Sequence, residues 1–495
     1  MEKNILFNQF HDILAGTSIE SAYEDARNDY GEAMAIAGRG LNYAVQSLSW
    51  NIGIEQEEGM KPVVIFNPHS WNSRVGVEVE VGGLKDEHVL VDDEGRAVPF
   101  QKVQPAATAN GRSRLSFVAD LPALGYRVYK VTMNPSAPKA EAMPIKADDY
   151  SMENGRFRIE FDPATGYIRS LFDKKKANNE VLRAGGAKPV VIEDRTDTWS
   201  HNVLHFNQET GAFTAKKSVK LVEHGPVKSV IRVTSEYGSS RLVQDFTMYS
   251  ELDQIEVKAV VDWRDHFKML KLVFPVNLVF TRQSYETPYG YIEREHNGEE
   301  EPGQSWIDYS GITREGGTVY GLSLLNDSKY SYSIHNKEMA LTVLRSPIYA
   351  HHDPLVPDPD GHYSFIDQGI QHLNYTLLPH EGNWETAGTV KRAAELNQRP
   401  TVIIETYHDG GLPQKDSYLS VDRDNIIVSA LKKAEDNGDL ILRCYETNKE
   451  ATSAVIRLPK WNRTIEAEFG PCEIKTFRIP KDAGQPVTET NLLEW

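Results

Sequence analysis

The sequence has 495 residues, which is enough for about three domains of ordinary size. Hydrophobic residues make up 40% of it and charged residues 25%, so the composition is that of a folded globular protein and excludes a largely disordered chain. Acidic residues outnumber basic ones by 71 to 54, and the resulting net charge of −17 argues against nucleic acid or an anionic membrane as a partner.

The apolar runs are too short to cross a membrane, for which about 18 residues are needed. The first residues, from Met1 to Gln9, lack the basic start and the long apolar stretch of a signal peptide. Cys444 and Cys472 are too few for a disulfide scaffold or a cysteine-based zinc module. We therefore expect a cytoplasmic protein in which both thiols are reduced.

The first predicted element is a helix. Apolar residues recur at three- and four-residue steps from Ile19 to Leu48, which predicts one long amphipathic helix over about residues 18–50. Thr17 and Glu20 have the spacing of a capping box, in which a hydroxyl and a carboxylate bond the first free N–H groups. The helix contains several glycines and therefore needs neighbours to pack on. We interpret residues 1–55 as a loop and a helix from a bundle whose remainder lies upstream.

Further along the chain, the pattern of apolar residues changes to the period of two that is typical of half-buried strands. The clearest segments are Val75 to Val81, Phe157 to Phe161, Lys217 to Val222 with Val227 to Val233, Ile255 to Ala259, and Ile456 to Phe469. Turn residues such as those from Asp162 to Gly166 separate the segments. This pattern predicts a mainly β fold in which the long N-terminal helix is followed by three antiparallel β-sandwiches, the middle one large.

Domain boundaries follow from composition. The stretch from Pro135 to Glu141 has the composition of a linker, and Arg399-Pro400 follows a short helical pattern over Val390 to Leu396. We therefore predict a small sandwich over residues 56–135, a large one over 145–398 and a small one over 399–495.

The densest polar group is His11-Asp12 in the segment Asn8-Gln9-Phe10-His11-Asp12, directly before the helix. A histidine beside an aspartate at a loop-to-helix junction can place an imidazole and a carboxylate in one pocket. Equally, such a histidine can simply form a hydrogen bond near the start of a helix, because a dipeptide is a weak signal.

Two other groups have alternative interpretations. His351, His352, Asp353 and His362 have partial zinc-ligand spacing, but the prolines around them are typical of a solvated loop. Aromatic and acidic residues gather from Tyr289 to Arg294 and from Trp306 to Tyr309. They could stack on sugar rings, or they could be ordinary strand residues.

A resemblance favours a carbohydrate-related function. The segment from Asn8 to Ile19, NQFHDILAGTSI, resembles the motif NQFHDILPG(T/S)SI of glycoside hydrolase family 38, the α-mannosidases. The similarity continues in order along nearly the whole chain, through VIFNPHSW, NGR to FDK, VDW, MLKLVFP, YGYIER, DQG, LPH and RCYE. By this resemblance the large sandwich is the galactose-mutarotase-like C-terminal domain of the family.

The resemblance implies a retaining hydrolase of α-mannosides with one zinc ion, held by two histidines and two aspartates. Only His11 corresponds to a zinc ligand, and Asp12 corresponds to a residue that hydrogen-bonds the sugar. The other ligands, the nucleophile and the acid/base belong to an N-terminal α/β barrel. We find no counterpart of the barrel in this sequence, so we assign no catalytic residue to this chain.

We accordingly expect the C-terminal part of a zinc-dependent α-mannosidase that acts on mannose-containing oligosaccharides. Alone, the chain is predicted to be inactive, with weak zinc binding or none, and to need the barrel in cis or in trans. Homo-oligomers are possible. One alternative is a non-catalytic carbohydrate-binding or scaffold protein, and another is an interaction subunit that completes a barrel from a separate chain.

Overall fold

The computed structural model describes residues 2–107, 110–133, 144–175, 178–183, 185–216, 218–351, 356–358 and 360–494. The predicted linker from Pro135 to Glu141 lies outside these residues. Strands take up 49% of the chain and helices 12%, which confirms the mainly β prediction. Every pair of strands in the described residues is antiparallel, as expected for sandwiches. None of the helices in the same residues is long and apolar enough to cross a membrane.

The helices occur at the start of the chain and again after the large sandwich. They are α1 (Glu2–Phe7), α2 (His11–Leu14), α3 (Glu20–Ser49), α4 (Trp384–Ala387) and α5 (Thr389–Asn397). Short 3-10 segments occur at Ser200–Asn202 and Pro459–Trp461. Helix α3 confirms the long helix expected from the apolar spacing.

The predicted capping box at the start of α3 is wrong. The N-cap position is Ile19, and no side chain caps the helix there. The Thr17 hydroxyl instead donates to the carbonyl oxygen of Asp12 at 3.4 Å, and the backbone N–H of Ser18 donates to the Tyr23 hydroxyl at 3.0 Å. Other local bonds, within the turn and to the first turn of α3, therefore take the place of the predicted cap.

The first sandwich consists of two sheets that share one apolar core, formed around Val63, Val77, Leu115 and Tyr129. One sheet contains, in spatial order, Thr401–Ile404, Lys61–Asn67, Gly125–Thr132, Val89–Val91 and Ala97–Val98, with Lys415–Ser417 also paired to Gly125–Thr132. The other sheet contains Ser73–Gly82, Arg112–Leu121 and Phe100–Val103.

The large sandwich has a single extended core that includes Phe157, Trp263, Tyr309 and Tyr375. Its largest sheet contains, in order, Val219–His224, Lys228–Tyr237, Ser240–Tyr249, Ile255–Trp263, Gly369–Glu381, Val319–Asn326, Trp306–Thr313, Leu278–Thr287 and Gly290–Glu293. A second sheet contains Glu209–Ala212, Lys188–Glu193, Lys268–Pro275, Glu338–Arg345, Ser331–His335 and Glu301–Pro302. A third contains Asn179–Glu180, Ile168–Asp173, Phe157–Phe161, Ser151–Glu153 and Lys146–Asp148.

The last sandwich packs around Leu442, Cys444, Ile456 and Phe469. Its strands are Ile426–Lys433, Leu440–Glu446, Ile474–Ile479 and Thr488–Thr490 in one sheet, and Ser420–Val421, Thr452–Leu458 and Arg463–Phe469 in the other. Cys444 is buried, Cys472 is partly buried, and both are free thiols.

One strand differs from the predicted boundary at residue 399. Thr401–Ile404 pairs with Lys61–Asn67, so this strand belongs to a sheet of the first sandwich. Lys415–Ser417 also pairs with that sheet. The chain therefore returns to the first sandwich before it enters the last one, while the division into four ranges otherwise stays a prediction.

Helix α3 connects two of these units. Near its C-terminal end, Val45 packs with Ile52 and Ile54 against Val64 and Tyr126 of the first sandwich. Near its N-terminal end, the ring of Tyr23 lies 5.9 Å from the ring of Tyr349 in the large sandwich. A helix of this length spans about 45 Å, so α3 carries the turn before it to the edge of the large sandwich.

Candidate functional site

The structure places His11 and Asp12 together in the first turn of α2. His11 Nε2 lies 3.5 Å from Asp12 Oδ2, and the His11 side chain is 79% exposed. The Phe10 ring lies 4.3 Å from the imidazole and covers part of it. The pair therefore presents an imidazole and a carboxylate on one open face of the molecule.

The turn that carries this pair is bonded to α3 upstream and closed by a bond of its own downstream. Upstream, Asn8 is only 1% exposed, and its amide nitrogen donates to Asp29 Oδ2 at 3.0 Å. Downstream, the Thr17 N–H donates to the Asp12 carbonyl oxygen at 3.0 Å. Between them, Gly16 takes a left-handed backbone with φ of 77°. These bonds give the turn one defined shape although its side chains are exposed.

These residues do not by themselves fit a zinc site. A catalytic zinc takes about three protein ligands, whereas this turn offers one imidazole and one carboxylate. In the part of the chain that the structure describes, no group of three or more His, Cys, Asp or Glu side chains could hold a metal ion. A zinc ion at His11 would need ligands from outside these residues.

Only part of the second candidate metal group lies within the described residues. His352 and Asp353 lie outside the described residues. His351 donates its backbone N–H to Asp197 Oδ2 at 2.9 Å, and its ring meets that of Tyr363 edge-on at 5.6 Å. His362 is exposed. These contacts are those of a packed loop.

The two aromatic and acidic groups of the large sandwich differ in burial. Trp306, Asp308 and Tyr309 are each 1% exposed or less, so the structure favours their interpretation as ordinary strand residues. Tyr289 and Ile292 are exposed, although the Tyr289 ring packs edge-on against Tyr445 of the last sandwich at 5.2 Å and Tyr291 packs against Trp384 at 4.7 Å. These contacts place the group from Tyr289 to Arg294 where the large sandwich meets the last one.

A buried polar network was not found from the sequence. His380 Nε2 lies 2.8 Å from Asp308 Oδ1, and the Ser323 hydroxyl donates to the same oxygen at 2.7 Å. Burial opposes ionisation of Asp308, but His380 and the hydroxyls of Ser310 and Ser323 hold the pKa of that carboxyl below its usual value. The residues come from different strands, so no spacing in the sequence indicates the network. It ties the strands of the large sheet together and to Thr389 of α5.

A cleft of about 510 Å³ separates α4 and α5 from the first and last sandwiches. The ring of Trp71 in its wall stacks on His69 at 4.5 Å, and the Trp71 indole N–H donates to Glu395 at 2.9 Å. Lys391 Nζ lies 5.7 Å from the centre of the same ring. Trp71 is thus held by its own neighbours at the junction of the units.

Comparison with known families matches most of the chain. Residues 1–48 match the alpha mannosidase middle domain, residues 152–361 match the glycosyl hydrolases family 38 C-terminal domain, and residues 425–464 match the family 38 C-terminal beta sandwich domain. His11 and Asp12 lie in the first of these regions.

Several similar proteins are named as α-mannosidases. Alpha-mannosidase G of Dictyostelium discoideum is 24% identical over 96% of this chain and 47% of its own length. Alpha-mannosidase 2C1 of Mus musculus is 26% identical over 90% of this chain and 40% of its own length. The chain thus spans less than half the length of these relatives. The crystal structure of an alpha-mannosidase from Enterococcus faecalis V583 superposes with a TM-score of 0.79 at 15% identity, over 97% of this chain and 63% of that one.

Proposed function

The chain carries the middle and C-terminal domains of glycosyl hydrolase family 38, and we propose that it forms the C-terminal part of a zinc-dependent, retaining α-mannosidase. In this proposal His11 supplies one zinc ligand and Asp12 orients the sugar. The remaining ligands, the nucleophile and the acid/base come from an N-terminal domain, in the same polypeptide or in a separate chain. The substrates are mannose-containing oligosaccharides.

One observation carries this proposal. His11 and Asp12, 3.5 Å apart on an exposed turn, lie within the region that matches the α-mannosidase middle domain. A pair held in one shape and open to solvent suits a half-site that another protein surface completes. The zinc ion, when bound, would help to fix the sugar and polarise its surroundings.

The chain alone is expected to be inactive. A retaining glycosidase uses two carboxyl groups about 5 Å apart, one as nucleophile and one as acid and base. The turn supplies the Asp12 carboxyl only, and one imidazole does not hold zinc against water. In this proposal the N-terminal domain supplies both the missing carboxyl group and the missing zinc ligands.

The test is an aryl α-mannoside assay with added zinc, on the chain alone and after mixing with its N-terminal domain. We expect turnover only in the mixture, and we expect His11→Ala to abolish it. His205→Ala is the matched control, because His205 is also a solvent-accessible histidine beside a carboxylate, that of Glu299, but lies in the large sandwich. Turnover by the chain alone, or a mixture that does not respond to His11→Ala, would contradict the proposal.

A further inference from the structure

Tyr23 joins three parts of the molecule that meet at the proposed half-site. It lies in the first turns of α3, and its hydroxyl accepts a hydrogen bond from the Ser18 N–H at 3.0 Å. Ser18 follows Thr17, whose N–H in turn donates to the carbonyl oxygen of Asp12. Two successive hydrogen bonds, made by the N–H groups of Ser18 and Thr17, therefore connect Tyr23 to the backbone of Asp12.

The other side of Tyr23 meets the large sandwich. Its ring lies 5.9 Å from that of Tyr349 with 37° between the planes. Tyr349 follows Ser346, whose N–H and carbonyl bond Lys268 and Phe267 at the end of the second sheet. Tyr23 thus links the turn to the loop that follows the strand Glu338–Arg345, and the first residue of that loop is bonded to the second sheet.

The Tyr23 hydroxyl is protonated at neutral pH, as an ordinary phenol is. Burial raises the pKa of Tyr23 further, the bond from the Ser18 N–H opposes this rise, and the carboxylates of Asp367 and Asp12 add to it. A protonated phenol can accept the Ser18 bond and still donate a proton to another acceptor.

We infer that Tyr23 is a positioning residue, which fixes the position of the His11–Asp12 turn relative to the large sandwich. This inference rests on the proposed function and assigns a part in it to the large sandwich. Through Tyr349 and Tyr23, the sandwich fixes where Asp12 stands relative to the sugar. A shift of about 1 Å in such a group can cost about a hundredfold in rate.

Tyr23→Phe tests the inference, because it removes the hydroxyl and leaves the ring contact with Tyr349. In the mixture of the chain with its N-terminal domain, we expect kcat for an aryl α-mannoside to fall about tenfold or more. KM should change less, because the sugar-binding groups remain. The midpoint of thermal unfolding should stay close to that of the parent chain.

Tyr167→Phe is the matched control. Tyr167 donates its hydroxyl proton to the carbonyl oxygen of Phe213 at 2.9 Å in the large sandwich, so this change also removes one tyrosine hydrogen bond. We expect its kcat to equal that of the parent. Tyr349→Leu, which removes the ring contact from the opposite side, should lower kcat in the same direction as Tyr23→Phe.

A second measurement separates this inference from the proposed function. In the chain alone, the NMR signals of the His11 ring should shift in Tyr23→Phe and stay unchanged in Tyr167→Phe. Unchanged His11 signals would overturn the inference even if no mixture is active. If the mixture is active, equal kcat values for Tyr23→Phe and Tyr167→Phe would also overturn it, as would a loss of activity that only follows a loss of thermal stability.

Discussion

Gly16 is the residue that lets the chain pass from α2 to α3. Its φ of 77° lies in the left-handed region, and a Cβ atom there would meet nothing within 4 Å. The cost of a larger residue is therefore conformational and not steric. We expect Gly16→Ala to lower the free energy of unfolding by about 1 kcal/mol, measured by urea denaturation.

Gly31 provides the opposite case within α3. It has ordinary helical backbone and also has nothing within 4 Å of an added Cβ. Gly31→Ala should therefore stabilise the protein by about 0.5–1 kcal/mol, because alanine loses less backbone freedom on folding into a helix. If both substitutions changed stability in the same direction, the left-handed assignment of Gly16 would be wrong.

Among the elements, the turn after the strand Phe157–Phe161 agrees with the sequence prediction, and the titratable carboxyl group of Asp162 holds it together. Asp162 Oδ1 accepts the N–H groups of Ala164 at 2.9 Å and Thr165 at 2.8 Å. The bond from the Thr165 N–H, followed by that from its hydroxyl, lowers the pKa of Asp162. A carboxyl with a lowered pKa in the folded state stabilises the fold above its unfolded pKa of about 3.9 and loses this effect as the pH falls.

We therefore expect Asp162→Ala to cost about 1 kcal/mol at neutral pH, and the difference from the parent chain to shrink at acid pH. Urea denaturation at a series of pH values measures this. Asp162→Asn keeps an acceptor oxygen without a charge, so its stability should lack this pH-dependent contribution. A gap between the parent and Asp162→Ala that stays constant down to acid pH would argue against the assignment.

The sequence predicts which segments form helices and strands better than it predicts which strands pair with each other. The helical spacing from Ile19 to Leu48 and the alternation in Phe157 to Phe161 each gave the correct element, because burial of one face imposes a period. The pairing of Thr401–Ile404 with Lys61–Asn67 carries no such signal. Alternation defines which face of a strand is buried but not which strand lies beside it.

At the scale of the whole molecule, the contacts around the candidate site that join distant segments are likewise not predicted by the sequence. His11 and Asp12 are neighbours in sequence, so the resemblance of one motif predicted both. Tyr349 contacts Tyr23 only because the large sandwich folds back on the start of α3. Asp308, Ser323 and His380 likewise meet only when their strands pair. Sites made by tertiary contact between distant segments leave no spacing for a single sequence to reveal.

A buried amide lies in the contact between the first and large sandwiches. Gln101 is 5% exposed, and its Oε1 accepts the backbone N–H groups of Val227 at 3.1 Å and Lys228 at 3.0 Å. Its Nε2 donates to Glu223 at 2.8 Å. A Cβ at Gly225 would lie 2.4 Å from Gln101 Oε1, so the glycine allows the two units to approach closely.

Gln101→Ala would leave two buried backbone donors without an acceptor, and such groups cost about 1–3 kcal/mol each. For two donors, we expect the free energy of unfolding, measured by urea denaturation, to fall by about 2–6 kcal/mol. Gln46→Ala is the control, because the Gln46 amide bonds only Asn42 on the exposed surface of α3. Exposed substitutions of this kind change stability by about 0.5 kcal/mol or less. If the two variants unfolded alike, Gln101 would not couple the sandwiches, and the interface would depend instead on contacts such as the ion pair of Lys228 with Glu78.

Because α3 rests on the first sandwich at one end and on the large sandwich at the other, loosening this interface should also displace the His11–Asp12 turn. Gln101→Ala is therefore expected to shift the His11 ring signals in NMR spectra, whereas Gln46→Ala should leave them unchanged.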